Sequence, residues 1–314
     1  MQSTMKALMK DGNAVAVKTV PQPRVQREDE VLIRVVFAGL CRTDVYVVEG
    51  CIVAPDPLLL GHEFAGVVAE VGAQVTGLKP GDRVAVNPAL PCEKCQLCVQ
   101  GATADCQQTT FLGVDRHGAF AEFIVVPARV IYRLPDTVSF LAGAYLEPVA
   151  ASLAVLKAGI QPEAKGLIYG DNRIAQLTHK LLSAHGFHKV SVYDVRSHPD
   201  ALEQNAYDYI IETLATTETL QHMVHALRPR GTIVLKSRQY QPIGFTLSEI
   251  MKKEPVLHVV NYGSFQEALA LLATGRLTVD DLAGRFYSLK DYGAVFADAQ
   301  HSEARKPFFV LSEV

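Results

Sequence analysis

Four of the chain's six cysteines fall close together, at Cys92, Cys95, Cys98 and Cys106. Thiolates at such short intervals suit a single tetrahedral Zn²⁺. An iron–sulfur cluster is the rival, but a ferredoxin-type run would close after three residues and continue with proline. Here seven residues precede the fourth cysteine and Gln107 follows it, which favours zinc. Because the protein supplies all four ligands, we expect a closed structural site that performs no chemistry.

A second group of metal-binding side chains is spread more widely, at Cys41, His62, Glu63 and Glu147. Taken singly, each of these residues fits a structural role. Together they offer a thiolate, an imidazole and carboxylates, which are enough to bind a zinc ion with one open position. Their spacing alone does not establish such a site.

The elements that would carry these residues change in type near Ser139. Residues 1–135 contain many short strands separated by Gly/Pro turns, a pattern typical of a small β-barrel. Residues 142–160 are Ala/Leu-rich and are predicted to be helical, and residues 166–235 alternate strands with helices at 174–184 and 219–227. That alternation predicts a parallel sheet. Residues 45–48 fit either a helical turn or a strand.

Length and composition limit the possible functions. A chain of 314 residues predicts two domains. Its net charge of −3, with both signs scattered, gives no basic face for nucleic acid or an anionic membrane. We see no signal peptide and no apolar run approaching the ~20 residues of a membrane span. Clustered cysteines without a secretion signal favour metal binding in a reducing cytoplasm.

Several motifs, taken in order, carry a family resemblance. They are Gly39-Leu40-Cys41-Arg42-Thr43-Asp44, Gly61-His62-Glu63-Phe64-Ala65-Gly66, Lys79-Pro80-Gly81-Asp82-Arg83-Val84, the four-cysteine group, Gly118-Ala119-Phe120-Ala121-Glu122 and Leu146-Glu147-Pro148. The combination resembles the zinc-dependent medium-chain dehydrogenase/reductase family, and the likeness spans nearly the whole chain. No single motif would be specific, but their order is.

The resemblance implies an α/β protein with two domains. One is a GroES-like β-barrel catalytic domain, residues 1–148 and 263–314. The other is an inserted Rossmann-type parallel-sheet domain that binds a dinucleotide, residues 149–262. About a dozen residues separate Asp194 from the strand at 207–211, too few for a full βαβ crossover, so we expect a shortened sheet.

The resemblance also implies roles for the metal-binding residues. Cys41, His62 and Glu147 would bind a catalytic zinc, giving two zinc ions per chain with the structural one. Glu63 is similar to the family's neighbouring acid, which can replace water or substrate on the metal. Asp44 would orient His62, as the partners of zinc-bound imidazoles usually do.

Two further residues would act on the substrate's proton. Thr43 matches the hydroxyl that touches the substrate oxygen and passes on its proton. Tyr46 stands where the family often has a histidine that relays this proton to solvent. A phenol with a pKa near 10 is a poorer relay at neutral pH.

The nucleotide fingerprint G-x-G-x-x-G is altered. Gly170 keeps the tight turn and Ala175 is an accepted third residue, but Asn172 places a side chain where backbone should approach the pyrophosphate. Asp194, at the end of the next strand, favours NAD by accepting from the ribose hydroxyl.

Three arginines bear on the same site. Arg196, close to Asp194, keeps NADP possible. Arg42 resembles the family's pyrophosphate-binding arginine, and Arg173 would add positive charge. Both cofactors therefore remain open, with NAD preferred.

The leading hypothesis is a cytoplasmic, zinc-dependent NAD(H) oxidoreductase acting on a secondary alcohol or its ketone. Glu147 favours a polyol, an aminocyclitol or a hydroxy-amino acid. Two alternatives are a zinc-holding pseudoenzyme with an impaired dinucleotide site and a non-redox zinc Lewis-acid enzyme. We expect a small-molecule substrate and a homo-oligomer, either dimer or tetramer. Cys51 has no assigned role.

Overall fold

Strands and helices both contribute to the fold of this chain. The computed structural model describes residues 3–194, 202–301 and 304–312. The chain divides into two compact units, Met1–Glu147 with Leu272–Thr274 and Ala283–Val314, and Pro148–Leu271 with Gly275–Leu282. The domain limits implied by the family resemblance stay predictions.

Strands predominate in the first part of the chain, up to β10, and strands and helices alternate after it. The strands are β1 (Thr4–Asp11), β2 (Ala14–Pro21), β3 (Glu30–Gly39), β4 (Leu58–Leu59), β5 (Glu63–Val71), β6 (Arg83–Val86), β7 (Ala89–Leu90), β8 (Thr110–Phe111), β9 (Phe123–Pro127), β10 (Ile131–Arg133), β11 (Gly166–Tyr169), β12 (Val190–Tyr193), β13 (Tyr207–Glu212), β14 (Leu227–Leu235), β15 (Val256–Val259), β16 (Ala283–Ser288) and β17 (Lys306–Val310). The helices are α1 (Arg42–Val48), α2 (Gln96–Val99), α3 (Phe140–Ala144), α4 (Leu146–Leu153), α5 (Arg173–Ala184), α6 (Thr217–Ala226), α7 (Leu247–Met251), α8 (Phe265–Ala273) and α9 (Tyr292–His301).

The first unit is built on a sheet in the order β10-β6-β5-β3-β17-β16, with β9 also paired to β3, and on a smaller sheet β2-β1-β4. Alternating apolar residues of these strands form one core that includes Ile33, Phe64, Phe120 and Phe309. The predicted β-rich module is therefore confirmed.

The end of β3 is where this sheet positions functional residues. Gly39 pairs with Glu63 of β5 on one side and with Phe308 of β17 on the other. A Cβ on Gly39 would lie 2.9 Å from Glu63 Oε2 and 2.9 Å from Lys306 Cδ, closer than side chains tolerate. A side chain at position 39 would therefore displace the Glu63 and Lys306 side chains, and the chain then turns directly into Cys41 and α1.

The second unit contains a five-stranded parallel sheet in the order β12-β11-β13-β14-β15. Every residue of β11 is buried, as expected for a strand covered on both faces. In the described ranges no strand pairs with the outer side of β12. The predicted parallel sheet and its shortening are confirmed within those ranges.

Two local predictions need comment. Residues 142–160, which were predicted to be helical, are helical over most of their length but are divided: α3 ends at Ala144, α4 follows, and a 3₁₀ turn spans Ala154–Ala158. Pro148 lies in the first turn of α4, where its missing N–H costs no hydrogen bond but where it prevents α3 from continuing. The undecided residues 45–48 are helical, within α1.

None of the helices in the described ranges combines the length and apolar character needed to cross a membrane.

Candidate active site

The four-cysteine group is assembled around the short helix α2. Sγ atoms of Cys92, Cys95, Cys98 and Cys106 all lie within 4.8 Å of one another. Opposite sulfurs are separated by 4.0 Å (Cys92 and Cys98) and 3.9 Å (Cys95 and Cys106). Zinc–sulfur bonds of about 2.3 Å in a tetrahedron require sulfur separations of about 3.8 Å. The donor set therefore fits one zinc ion without rearrangement.

Backbone N–H groups prepare some of these sulfurs as thiolates. The Cys92 N–H donates to Cys106 Sγ at 3.3 Å and lowers the pKa of Cys106 to about 6. The N–H groups of Lys94 and Cys95 lower the pKa of Cys92. Burial raises the pKa of Cys98 to about 12, so that thiol needs a metal to become a ligand.

The second metal-binding group brings together Cys41, His62 and Glu63, whose ligand atoms lie within 4.8 Å of one another. Cys41 precedes α1 at the end of β3, and His62 immediately precedes β5. Neither ring nitrogen of the fully buried His62 has a hydrogen-bond partner in the described part of the chain. A buried ring nitrogen without a hydrogen bond is costly, and a metal ion bound to the ring would satisfy one of the two.

Asp44 fixes the backbone on both sides of this group. Its Oδ2 accepts from the Cys41 N–H at 2.9 Å, and its Oδ1 accepts from the Gly61 N–H at 3.0 Å. His62 Nδ1 lies 3.4 Å from Asp44 Oδ1. One carboxylate therefore holds the two segments that carry the thiol and the imidazole.

The charges of this group favour a thiolate. Burial opposes ionisation of Cys41, but neighbouring His62 lowers the pKa of Cys41 to about 6. Burial also acts against a charged His62, yet Asp44 and Cys41 raise its pKa well above the ordinary value. The arrangement thus supplies the ionised sulfur that a zinc site requires.

Lys306 is a functional candidate that the sequence analysis missed. It opens β17 and is only 1% exposed, while Glu63 is 2% exposed. Lys306 Nζ forms an ion pair with Glu63 Oε2 and donates to the Leu40 carbonyl at 3.3 Å. Burial raises the pKa of Glu63 to about 7, against the opposing effect of Lys306. A lysine at the start of an apolar strand was the available signal, but nothing in the sequence indicated its partner.

The remaining predicted residues of the first unit lie on or near α1 and α4. Thr43 is buried, with its Oγ1 3.7 Å from Cys41 Sγ. Glu147 is buried in α4 and lies outside the group within 4.8 Å, although its charge raises the pKa of Cys41. Arg42 and Tyr46 are half-buried on α1. The roles predicted for these four residues stay predictions.

The predicted nucleotide turn joins β11 to α5 in the second unit. Gly170 has a φ of 116°, a conformation that favours glycine. Asn172 caps α5: its Oδ1 accepts from the N–H groups of Ile174 and Ala175, both at 3.0 Å. Its Nδ2 donates to the carbonyl of Thr213 at 3.0 Å. The side chain therefore occupies the place where the fingerprint glycine would expose the helix N-terminus, and this part of the turn does not fit a pyrophosphate.

Other parts of the turn do fit a nucleotide. Asp194 is buried immediately after β12, at the carboxyl edge of the sheet, and Arg173 is buried at the first position of α5. Arg196 lies outside the described residues, so its predicted influence on the choice of NADP has no structural account.

Comparisons with known proteins agree on one family. Residues 27–136 match the alcohol dehydrogenase GroES-like domain. The chain is 28% identical over 324 aligned residues to D-xylulose reductase A of Aspergillus oryzae, covering 91% of this chain and 90% of that protein.

Two solved structures are each 25% identical in sequence to this chain. Each alignment covers 98% of this chain and 100% of the solved one. A protein described as a zinc-binding dehydrogenase, from Sinorhizobium meliloti and bound to NADP, superimposes with a TM-score of 0.90. Galactitol-1-phosphate dehydrogenase from Escherichia coli superimposes with a TM-score of 0.84. With its GroES-like unit, its parallel-sheet unit and its cysteine cluster, the chain is similar over nearly its whole length to zinc-dependent dehydrogenases of the medium-chain dehydrogenase/reductase family.

Proposed function

We propose that this protein is a zinc-dependent oxidoreductase that interconverts a secondary alcohol of a polyol-like compound and its ketone, with NAD(H) as the preferred cofactor. The observation that carries the proposal is the group of half-buried Cys41 with buried His62 and Glu63, whose ligand atoms lie within 4.8 Å of one another and in which a thiolate lies beside the imidazole. The names of the relatives, which include a D-xylulose reductase and a galactitol-1-phosphate dehydrogenase, support a polyol substrate.

The chain's own residues would divide the work around the metal. Cys41, His62 and Glu147 would hold the catalytic zinc, with Glu63 as an alternative oxygen ligand. Bound zinc supplies a Lewis acid that polarises the substrate oxygen and lowers its pKa. Asp44 keeps the Cys41 and Gly61 segments in register through the two N–H bonds given above.

Oxidation of the alcohol releases a proton from oxygen and a hydride from carbon. Thr43 is the group proposed to pass the proton on, taking it from the substrate oxygen while giving up its own hydroxyl proton, because its hydroxyl is buried beside the Cys41 sulfur. Tyr46 would continue the proton path less efficiently than a histidine. A nicotinamide dinucleotide, held by the second unit, would supply the acceptor for the hydride.

Asp194 supports NAD over NADP as the cofactor. A carboxylate at the end of the second strand of such a fold accepts from the ribose 2′-hydroxyl and repels a 2′-phosphate. Replacing it in Asp194→Ala is expected to lower the preference for NADH over NADPH at least about tenfold, measured as the ratio of dissociation constants. An unchanged ratio would remove Asp194 from this role.

The activity test is a substrate panel. Zinc-loaded protein is incubated with sugar polyols, aminocyclitols and hydroxy-amino acids, each with NAD⁺ and with NADP⁺, and reduction is followed at 340 nm. We expect turnover of a polyol with NAD⁺, and its loss in Cys41→Ser. Turnover that persists in Cys41→Ser would contradict the proposed metal site. The expected homo-oligomer and cytoplasmic location stay predictions.

A further inference from the structure

The turn between β11 and α5 is closed by its own side chain. Asn172 is 8% exposed, and its Oδ1 already satisfies the N–H groups of Ile174 and Ala175. In a dinucleotide-binding turn those helix N-terminal donors are the ones that face the pyrophosphate. Here a phosphate oxygen would have to displace the Asn172 amide to reach them.

Thr213 accepts hydrogen bonds from the amide nitrogen of Asn172 and so fixes the side chain. Asn172 Nδ2 donates to the Thr213 carbonyl at 3.0 Å and to Thr213 Oγ1 at 3.2 Å. Thr213 Oγ1 in turn donates to the Tyr169 carbonyl at 3.0 Å. Moving the amide aside would therefore break four hydrogen bonds in a buried place, so the cap is a fixed part of the turn.

Arg173, the next residue, differs from Asn172 in having a buried donor without a hydrogen bond among the described residues. It is 8% exposed at the first position of α5, and its Nε has no hydrogen-bond partner in the described part of the chain. A buried guanidinium normally lies against a carboxylate, a phosphate or carbonyl oxygens, because desolvating its charge and donors is costly. Its planar donors match two phosphate oxygens at once. An anionic ligand at this turn would satisfy the buried Nε–H of Arg173.

We propose that this chain binds the pyrophosphate of its dinucleotide through the guanidinium of Arg173, while Asn172 withholds the N–H groups of Ile174 and Ala175. The inference rests on the proposed function, since it takes a nicotinamide dinucleotide as the ligand. It assigns Asn172, which departs from the glycine fingerprint, and its neighbour Arg173 to one arrangement: a neutral backbone contact is replaced by a charged side-chain contact. Cofactor affinity then depends on the charge at position 173 and is limited by the cap at position 172.

The test is a double-mutant cycle in zinc-loaded protein, read by nicotinamide fluorescence during titration with NADH and with NADPH. Arg173→Gln is expected to raise both dissociation constants at least about tenfold, as loss of a charged hydrogen bond predicts. Asn172→Gly is expected to lower both several-fold by freeing the two N–H groups. In the Asn172→Gly background, Arg173→Gln should cost less than in the wild type, because the backbone takes over part of the phosphate contact.

A matched control separates binding from helix stability. Ser139 caps α3 in the first unit by accepting from the Ala142 N–H at 3.1 Å. Ser139→Gly removes a cap of the same kind and is expected to leave both dissociation constants unchanged. Thermal unfolding of every variant establishes that the protein is folded.

Three results would overturn the inference. They are unchanged NADH affinity in Arg173→Gln, no gain in Asn172→Gly, or an effect of Arg173→Gln on NADPH alone, which would place the guanidinium at the 2′-phosphate. Failure of the proposed function looks different: all the expected shifts in affinity are present, but the substrate panel shows no hydride transfer. If neither the wild type nor any variant binds either dinucleotide, both proposals fail.

Discussion

The buried pair of Lys306 and Glu63 gives a stability prediction with a definite pH dependence. Lys306→Met leaves the Glu63 carboxylate buried without its cation. Removing one partner of a buried pair costs about 3–5 kcal/mol when the remaining group stays charged. Glu63 can avoid part of this cost by taking up a proton, since burial already raises its pKa from 4.5 to about 7.

The direction of the pH dependence follows from the raised pKa of Glu63, which keeps its proton to a higher pH in the folded protein than in the unfolded one. Because its folded pKa is above the unfolded value, the stability contributed by this group falls as pH rises from the unfolded pKa to the folded one. In the wild type this fall ends near pH 7. Without Lys306 the folded pKa is higher still, so the variant continues to lose stability above pH 7, by up to about 1.4 kcal/mol per pH unit.

The assay is urea unfolding of metal-free, reduced protein at pH 6, 7 and 8.5, followed by circular dichroism. The difference in free energy of unfolding between wild type and Lys306→Met should be larger at pH 8.5 than at pH 6 by as much as about 2 kcal/mol. Lys18→Met is the control, because Lys18 pairs with Asp11 at 2.7 Å on the surface and such pairs contribute little. A Lys306→Met effect no larger than that of Lys18→Met, or equal at all three pH values, would refute the reasoning.

Further predictions concern the two metal groups and the backbone that places them. Cys41→Ser should lose one of two zinc ions per chain with little change in melting temperature, whereas Cys95→Ser should lose the other and melt clearly lower; equal effects in metal analysis and calorimetry would contradict the division into two kinds of site. Gly61→Ala should destabilise the protein more than Gly81→Ala, although their φ angles are 95° and 93°, because only at Gly61 would a Cβ meet the Phe120 ring, at 2.4 Å. The excess is expected to be about 1–3 kcal/mol, and equal unfolding free energies would rule out that contact as the cause.

The sequence predicted best what depends on residues close together in the chain. The four cysteines lie within one short segment, so their spacing alone predicted the group of four sulfurs that the structure brings together. The helix from Ile174 to Ala184 followed from its apolar periodicity, and Asn is among the preferred N-cap residues. The helical character of residues 142–160 was predicted as well, but the division between α3 and α4 near Pro148 was not.

Contacts between segments that are distant in the chain could not be predicted from the sequence. Lys306 and Glu63 are 243 positions apart, and they meet only because β17 and β5 both pair with the end of β3. Cys41 and His62 were joined through the family resemblance, since spacing gave no reason to connect them. The bonds from Asn172 to Thr213 likewise depend on β11 and β13 being neighbours in the sheet.

Hydride transfer itself is the most direct test of the account. Zinc-loaded protein is incubated with D-xylulose and other ketoses and with NADH deuterated at C4, in separate reactions for each face of the ring, and the products are analysed by mass spectrometry. The account predicts one deuterium on the new carbinol carbon of a polyol product, from one face only, and none with Cys41→Ser. Protein that carries two zinc ions and binds NADH, yet transfers deuterium to no ketone, would contradict it.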